Sequence, residues 1–274
     1  MMIEWKNLLR GFVMGTSDVI PGVSGGTMAL ILGIYGRLID GINKLTTKEW
    51  KSQLGFFIPL GIGMGTAILA LSSVIEWLLL DYPEPTFSLF IGLILGTIPF
   101  LMREADYRRS FRAKHYVILA VAAAAVIASG LLQEDTGDIM TSISLSGYVF
   151  LFFAGWLASS AMLLPGVSGS FVLLIIGAYP TVIAAVSSLN LLVIIVVGLG
   201  IVVGILIMSK FIHFLLRNHS VGTYATMIGL LIGSLFVVFP GVPGSLTLFF
   251  ASIVMFLIGF GLAVILGQIN NRKA

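Results

Sequence analysis

The stretch Pro21-Gly22-Val23-Ser24-Gly25 returns as Pro165-Gly166-Val167-Ser168-Gly169, each time in the middle of a long apolar run. Proline removes a backbone donor and disfavours helix for the residue before it, and adjacent glycines weaken any continuation. A run that would otherwise be one helix is therefore broken in both places. Of the 274 residues 58% are hydrophobic and only 10% charged, which is too little polar surface to face water on all sides. The expected solvent is lipid. A non-helical tip at membrane depth must then be buried in protein or line a polar cavity, because lipid offers its backbone groups no partner.

The two copies belong to a longer repeat. Shifted by 144 residues, Gly15–Ile39 lies over Ser159–Ile183 with 10 of 25 positions identical, among them Ser24/Ser168, Gly33/Gly177 and Tyr35/Tyr179. Shifted by 137, Leu60–Gly96 lies over Val197–Gly233 with 13 of 37 identities. The chain reads as two homologous halves, 1–142 and 143–274, forming a single integral membrane domain. A hydrocarbon layer of about 30 Å needs about 20 apolar residues to cross. Five or six stretches qualify, near 56–80, 87–102, 115–132, 191–212, 224–239 and 246–267. The broken stretches 11–39 and 146–186 each predict two half-helices around a tip.

Orientation follows from lysine and arginine. If each broken stretch is a hairpin that enters and leaves on one side, all 15 basic residues fall at one face. The opposite loops, 81–86, 133–142, 187–190 and 240–245, contain none, and the first two carry Asp81, Glu84, Glu134, Asp135 and Asp138. The positive-inside bias makes the basic face cytoplasmic, with both termini there, and Trp5, Trp50 and Trp77 fall near span boundaries as interfacial tryptophans do. Each half then holds a hairpin and three crossings, an odd number, so the second half inserts upside down. The expected fold is an all-α polytopic membrane protein of two inverted-topology repeats, each a re-entrant broken-helix hairpin plus three transmembrane helices. Hairpin 11–39 enters from the cytoplasm and hairpin 146–186 from outside, a plan recurrent in transporters. Complete crossing pairs give the same loop sides; hairpins are favoured because residues 11–20 are too short to cross.

At the tips, Ser24-Gly25-Gly26-Thr27 and Ser168-Gly169-Ser170 place glycines and hydroxyls where a half-helix begins. Converging N–H groups at the positive end of a helix dipole form an anion site. Tight reversals with capped helix starts are the commoner use of Ser-Gly sequence, but two copies approaching from opposite faces favour a shared site. Asp18 is the only carboxylate inside either hairpin, with Met162 at the equivalent position. A charge at that depth costs about 2.5–3.5 kcal/mol and is a functional candidate. It is expected to couple transport to protons or sodium, or simply to accept tip N–H bonds or pair with Arg10. Glu76, His213, Lys210 and Arg37 lie near span ends and are expected to snorkel.

Other classes lose ground. Gly22-Val23-Ser24-Gly25-Gly26 fits a nucleophile-elbow pattern. However, His115, His213 and His219 all fall at the cytoplasmic edge while the tips lie deep, so the serine lacks a base. No cysteine is present, which excludes thiol catalysis, cysteine-ligated zinc and disulfides. No metal site, Walker A motif or other cofactor signature is evident, and the basic residues between apolar spans speak for membrane orientation rather than nucleic acid. The N-terminal stretch carries Glu4 and no cleavage site, so it is expected to belong to the mature protein. Gly92/Gly96, Gly200/Gly204 and Gly229/Gly233 are helix-packing spacings.

The run Gly-Thr-Ser-Asp-Val-Ile-Pro-Gly-Val-Ser-Gly-Gly-Thr from Gly15, its shorter copy Ala-Met-Leu-Leu-Pro-Gly-Val-Ser-Gly-Ser, and the Gly-x-Tyr after each resemble the bacterial polyprenyl-phosphate transporter family, formerly a domain of unknown function. The resemblance covers essentially the full chain. It implies return of undecaprenyl phosphate, the lipid carrier of wall-polymer synthesis, across the bacterial cytoplasmic membrane. The motif positions that carry over are Gly15, Asp18, Pro21, Gly22, Ser24, Gly25, Gly26, Thr27, Pro165, Gly166, Ser168 and Gly169; Ser170 replaces the second glycine. The expectation is alternating access around a phosphate held by Ser24–Thr27 and Ser168–Ser170, with Arg10 attracting the head. A transporter or channel for a small soluble anion would use the same tips. A single cysteine at Glu134 is expected to react with an impermeant maleimide from outside whole cells; labelling only from the cytoplasmic side would overturn the inverted arrangement.

Overall fold

The computed structural model describes residues 3–18, 24–131, 139–140 and 143–271, and these form helices without strands. The first half contributes α1 (Lys6–Asp18), α2 (Gly25–Ile31), α3 (Tyr35–Leu45), α4 (Trp50–Asp81), α5 (Pro83–Glu104), α6 (Tyr107–Ser110) and α7 (Ala113–Leu131). The second contributes α8 (Leu145–Met162), α9 (Gly169–Ile175), α10 (Tyr179–Ser187), α11 (Leu191–Asn218), α12 (Ser220–Val238) and α13 (Leu246–Asn271). Seven of these, α4, α5, α7, α8, α11, α12 and α13, are long and apolar enough to cross a membrane. Their outward residues are apolar, as at Leu69, Leu199 and Phe250, which is what a lipid-facing surface requires. The protein is an all-α, multi-pass membrane protein. Residues 19–23, most of the loop 133–142, and Arg272 and Lys273 lie outside the described residues.

Two expectations about the broken stretches need correction. Each was read as two half-helices, but a second break follows the tip. Gly33 and Gly177 adopt left-handed backbone, with φ of 65° and 72°. Around them the same caps form: Gly33 N–H donates to Leu30 C=O and Ile34 N–H to Ala29 C=O, and Gly177 and Ala178 donate to Leu174 and Leu173, all at 2.9 Å. This is the glycine helix stop, and it turns α10 by 115° from α9. A lone glycine in an apolar run is weak punctuation, so hydropathy conceals the stop. The second correction concerns arm length. Helix α8 has 18 residues, about 27 Å at 1.5 Å per residue, and is a candidate span in its own right rather than a half-helix.

The two halves interlock through like pairs of helices. Within each half the first helix packs on the long one, α1 on α4 and α8 on α11. Across the halves the last helix packs on the other half's penultimate span, α7 on α12 and α13 on α5. Glycine makes each approach close. A Cβ at Gly11 would meet the Leu60 carbonyl, at Gly200 that of Phe152, at Gly92 that of Phe256 and at Gly229 that of Leu119. With lipid on the outside no hydrophobic gain drives pairing, so backbone contact and dispersion must. The three glycine spacings seen in the sequence all lie at these contacts.

Helix α2 occupies the centre, buried along its whole length. It contributes to one buried apolar cluster that also includes Phe56 and Leu60 of α4, Phe90 and Ile94 of α5, Ile212 of α11 and Met227 and Ile228 of α12. Helix α9, its repeat counterpart, has no fully buried residue. A polar seam joins α3 to α11: Ser209 Oγ donates to Asn43 Oδ1 at 3.1 Å, and His213 Nδ1 lies 2.6 Å from Asp40 Oδ1. His213, expected to snorkel near a span end, meets Asp40 of α3 there. Arg37 likewise donates to Gln53 Oε1, lies 3.7 Å from Glu4, and stacks over Phe56 at 4.7 Å. For the helix pairs, Gly200→Leu should lower stability by about 1–3 kcal/mol or more through overpacking. Gly198→Ala, where a Cβ meets nothing within 4 Å, should not lower thermal stability in detergent and should raise it slightly through helix propensity.

Candidate functional site

The first tip is built by a cap. Ser24 has extended backbone and opens α2; its Oγ accepts the Thr27 N–H at 3.2 Å and lies 3.1 Å from Thr27 Oγ1. Such a side chain satisfies one of the orphan donors of a helix start. Thr27 Oγ1 also accepts the N–H of Gly166, 139 positions away, at 2.9 Å. Gly166 belongs to the second Pro-Gly-Val-Ser-Gly copy and is left-handed, with φ of 84°. Nearby, Tyr35 donates its hydroxyl to the Leu163 carbonyl at 2.9 Å. The two tips therefore meet, and each completes hydrogen bonds of the other.

Glycine permits the meeting. A Cβ on Gly26 would lie 3.0 Å from the Met162 carbonyl oxygen, and one on Gly25 would lie 2.9 Å from an Asp18 carboxylate oxygen. Gly25 N–H donates to Asp18 Oδ1 at 2.6 Å. The anion at the start of α2 is thus the chain's own carboxylate. Of the simple readings of Asp18, acceptance of a tip N–H is the one the geometry realises. Pairing with Arg10 is not, since Arg10 Nη1 donates to Asn7 Oδ1 at 2.8 Å, two turns down α1 from Asp18. At the second tip Ser168 opens α9 without a side-chain cap, and its Oγ lies 2.8 Å from Ser170 Oγ.

A cavity of about 210 Å³ lies where the tips converge. Asp18, Gly25 and Gly26 of the first hairpin face Ser159, Met162 and Leu163 of the second across it, with Phe57 and Leu60 of α4 and Ile205 of α11 closing the sides. The structure thus brings Asp18, Gly25 and Gly26 into one lining. Ser24 and Thr27 stand behind it, both 1% exposed, holding the tips together. Arg10, Ser168, Gly169 and Ser170 are not in the described lining. Pro21 and Gly22 lie outside the described residues. Sequence reasoning missed Ser159 and Tyr35; the identity of Tyr35 and Tyr179 across the repeat was the available signal for the second.

The lining is chemically sparse: one carboxylate, backbone amide groups, one serine hydroxyl and apolar walls. No histidine is among its residues, and Ser24 is engaged with Thr27 rather than with a base. Broken helices that meet inside a multi-pass helical protein are a plan recurrent in membrane transporters. The chain belongs to the undecaprenyl phosphate translocase-like family, whose model matches residues 14–248. It is 42% identical over 279 residues to the polyprenyl-phosphate transporter of Staphylococcus aureus (strain NCTC 8325 / PS 47), an alignment covering 98% of each chain. To the polyprenyl-phosphate transporter of Vibrio cholerae serotype O1 it is 35% identical over 246 residues, covering 85% of this chain and 76% of that one. No solved structure matches it. The tip junction makes a direct prediction. Thr27→Val leaves the Gly166 N–H unpaired and should lower stability by about 1–3 kcal/mol. Thr27→Ser should restore most of that loss in thermal unfolding.

Proposed function

We propose that this protein carries a polyprenyl phosphate, undecaprenyl phosphate in the first instance, across the bacterial cytoplasmic membrane for reuse in envelope-polymer synthesis. Membership of a family whose relatives bear that transporter name supports the substrate. The observation that carries a mechanism is the meeting of the tips, Thr27 on Gly166, above a cavity lined by both hairpins. A polyprenyl tail is at home in lipid, whereas the phosphate must pass an apolar layer in which an unpaired ion costs many kcal/mol. A largely apolar cavity with hydrogen-bond donors at one end suits an amphiphile better than a small hydrated anion, which would need a wetter path.

The two halves, inserted in inverted sense with both termini in the cytoplasm, rock about the junction in alternating access. The head binds near Gly25, Gly26 and Thr27 on one side and Ser168, Gly169 and Ser170 on the other, with Arg10 at the approach. Asp18 gives the cycle its logic. Its carboxylate occupies the Gly25 N–H that a phosphate oxygen would take, so like charges compete for one donor. Protonation of Asp18 frees that donor and lets the phosphate enter; its deprotonation returns the carboxylate to α2 and expels the head. Proton uptake and phosphate arrival are thereby coupled.

The test is movement of polyprenyl phosphate between leaflets of liposomes holding the purified protein, set against uptake of inorganic phosphate by the same vesicles. Lipid transfer without phosphate uptake is expected; robust phosphate uptake with unchanged lipid distribution would select the small-anion carrier instead. Ser168→Ala should slow lipid transfer about tenfold or more, the size of a lost hydrogen bond to a charged group, and Ser24→Ala should slow it by removing the cap that shapes the first tip, while both insert normally. Asp18→Asn keeps an acceptor for Gly25 but holds no exchangeable charge. Its transfer should be slow and flat across pH, and a wild-type pH profile in this variant would remove proton coupling.

A further inference from the structure

A second cavity, of about 670 Å³, lies at the basic end of the molecule, away from the tips. Arg109 of α6, Arg112, and Lys114 in the first turn of α7 line it on one side, and His219, Ser220 and Gly222, at the start of α12, line it on the other. The positive-inside bias accounts for basic residues in this loop. It does not account for their convergence with a helix start from the other half of the chain on one concavity.

Three features of the cavity call for an anion. No Asp or Glu is in its lining, and the ion pairs among the described residues engage Arg37, Lys44 and His213, none of which borders it. Helix α12 begins here with His219 as a cap that makes no side-chain bond, so its first-turn N–H groups have no capping side chain. His115, only 9% exposed, lines the same cavity. Its Nδ1 accepts the Arg112 N–H at 3.0 Å, which leaves the proton of the neutral ring on Nε2. No bond to that Nε2 is made among the described residues. A buried donor, a helix start and three cations thus share one space.

We propose that this cavity is a phosphate-headgroup site, separate from the tips, that takes an anionic membrane lipid from the leaflet meeting the basic face. Its level sets the source of the phosphate. It opens at the ends of the spans α7, α11 and α12, where headgroups lie, and Ile118 and Leu215 give it an apolar wall along which an acyl chain can run while the head meets the arginines. Basic pockets between transmembrane helices bind lipid headgroups in this way. The site needs no transport and stands apart from the proposed carrier cycle.

Native mass spectrometry of the purified, delipidated full-length protein tests it, with phosphatidic acid as probe and phosphatidylcholine as control. The wild type should retain phosphatidic acid in preference. The triple variant Arg109→Gln, Arg112→Gln, Lys114→Gln should weaken that retention at least about tenfold, as the loss of three cations near a headgroup implies. Gly222→Glu is a second, independent variant. A side chain there meets nothing within 4 Å and an acidic residue suits a helix start, so the fold survives while the cavity gains a negative charge; it should abolish the preference. Equal phosphatidic acid retention in the wild type and both variants would overturn the site. Displacement of the lipid by low-millimolar inorganic phosphate would overturn the lipid assignment in favour of a free anion.

Discussion

The hydrogen bond from Gly166 N–H to Thr27 Oγ1, 2.9 Å long, answers the constraint under which this chain folds. A helix broken inside lipid exposes backbone groups that lipid cannot satisfy. Two such breaks, placed together, can satisfy each other. Tyr35 on Leu163 and the backbone contact at Gly26 tighten the same junction. Everything that brings the tips within reach, including the long helices α4 and α11 on which α1 and α8 lie, serves this meeting. The Ser24 side chain, which first looks like a ligand-binding hydroxyl, is spent on Thr27 and thus on holding the tip in shape.

Interlocking ties the two halves together around the junction. Because α7 packs on α12 and α13 on α5, neither half closes its own core. The glycines that permit these approaches place backbone against backbone, where dispersion is densest and no side chain can give way. Repetition does not make the halves equal. Helix α2 is buried throughout while α9 is not, and only the first tip has a carboxylate at its helix start. The central tip is the one that carries Asp18, and the peripheral one has Met162 in its place. The two tips are therefore chemically unequal, one with a carboxylate at its helix start and one without.

Much of the site was legible in the residues. Asp18, Gly25 and Gly26 stood out because a carboxylate and paired glycines are costly in an apolar run and have few reasons to be there. Arg10 was less legible: its charge suggested attraction of a headgroup, and among the described residues the structure adds only its hydrogen bond to Asn7. The partner of His213 was not legible either, since Asp40 lies 173 positions away. Charge can be read in one dimension, but partnership cannot. The glycine stops at Gly33 and Gly177 were visible only as repeat identities, because one glycine weakens a helix without requiring its end.

What the sequence by itself determined is the set of local properties: where helix cannot continue through Pro-Gly-Val-Ser-Gly, which runs suit lipid, that all basic residues fall at one face when the broken stretches are taken as hairpins, and which glycines recur at packing distance. These follow from backbone donors, transfer energies and side-chain size, which each residue carries wherever it sits. Only the tertiary structure decided that Thr27 caps across to Gly166, that Asp18 accepts the Gly25 N–H, that α8 extends far enough to cross, and that segments from opposite halves enclose a basic cavity. Those outcomes depend on which surfaces exclude lipid together, and that is a property of the packed helices rather than of any segment.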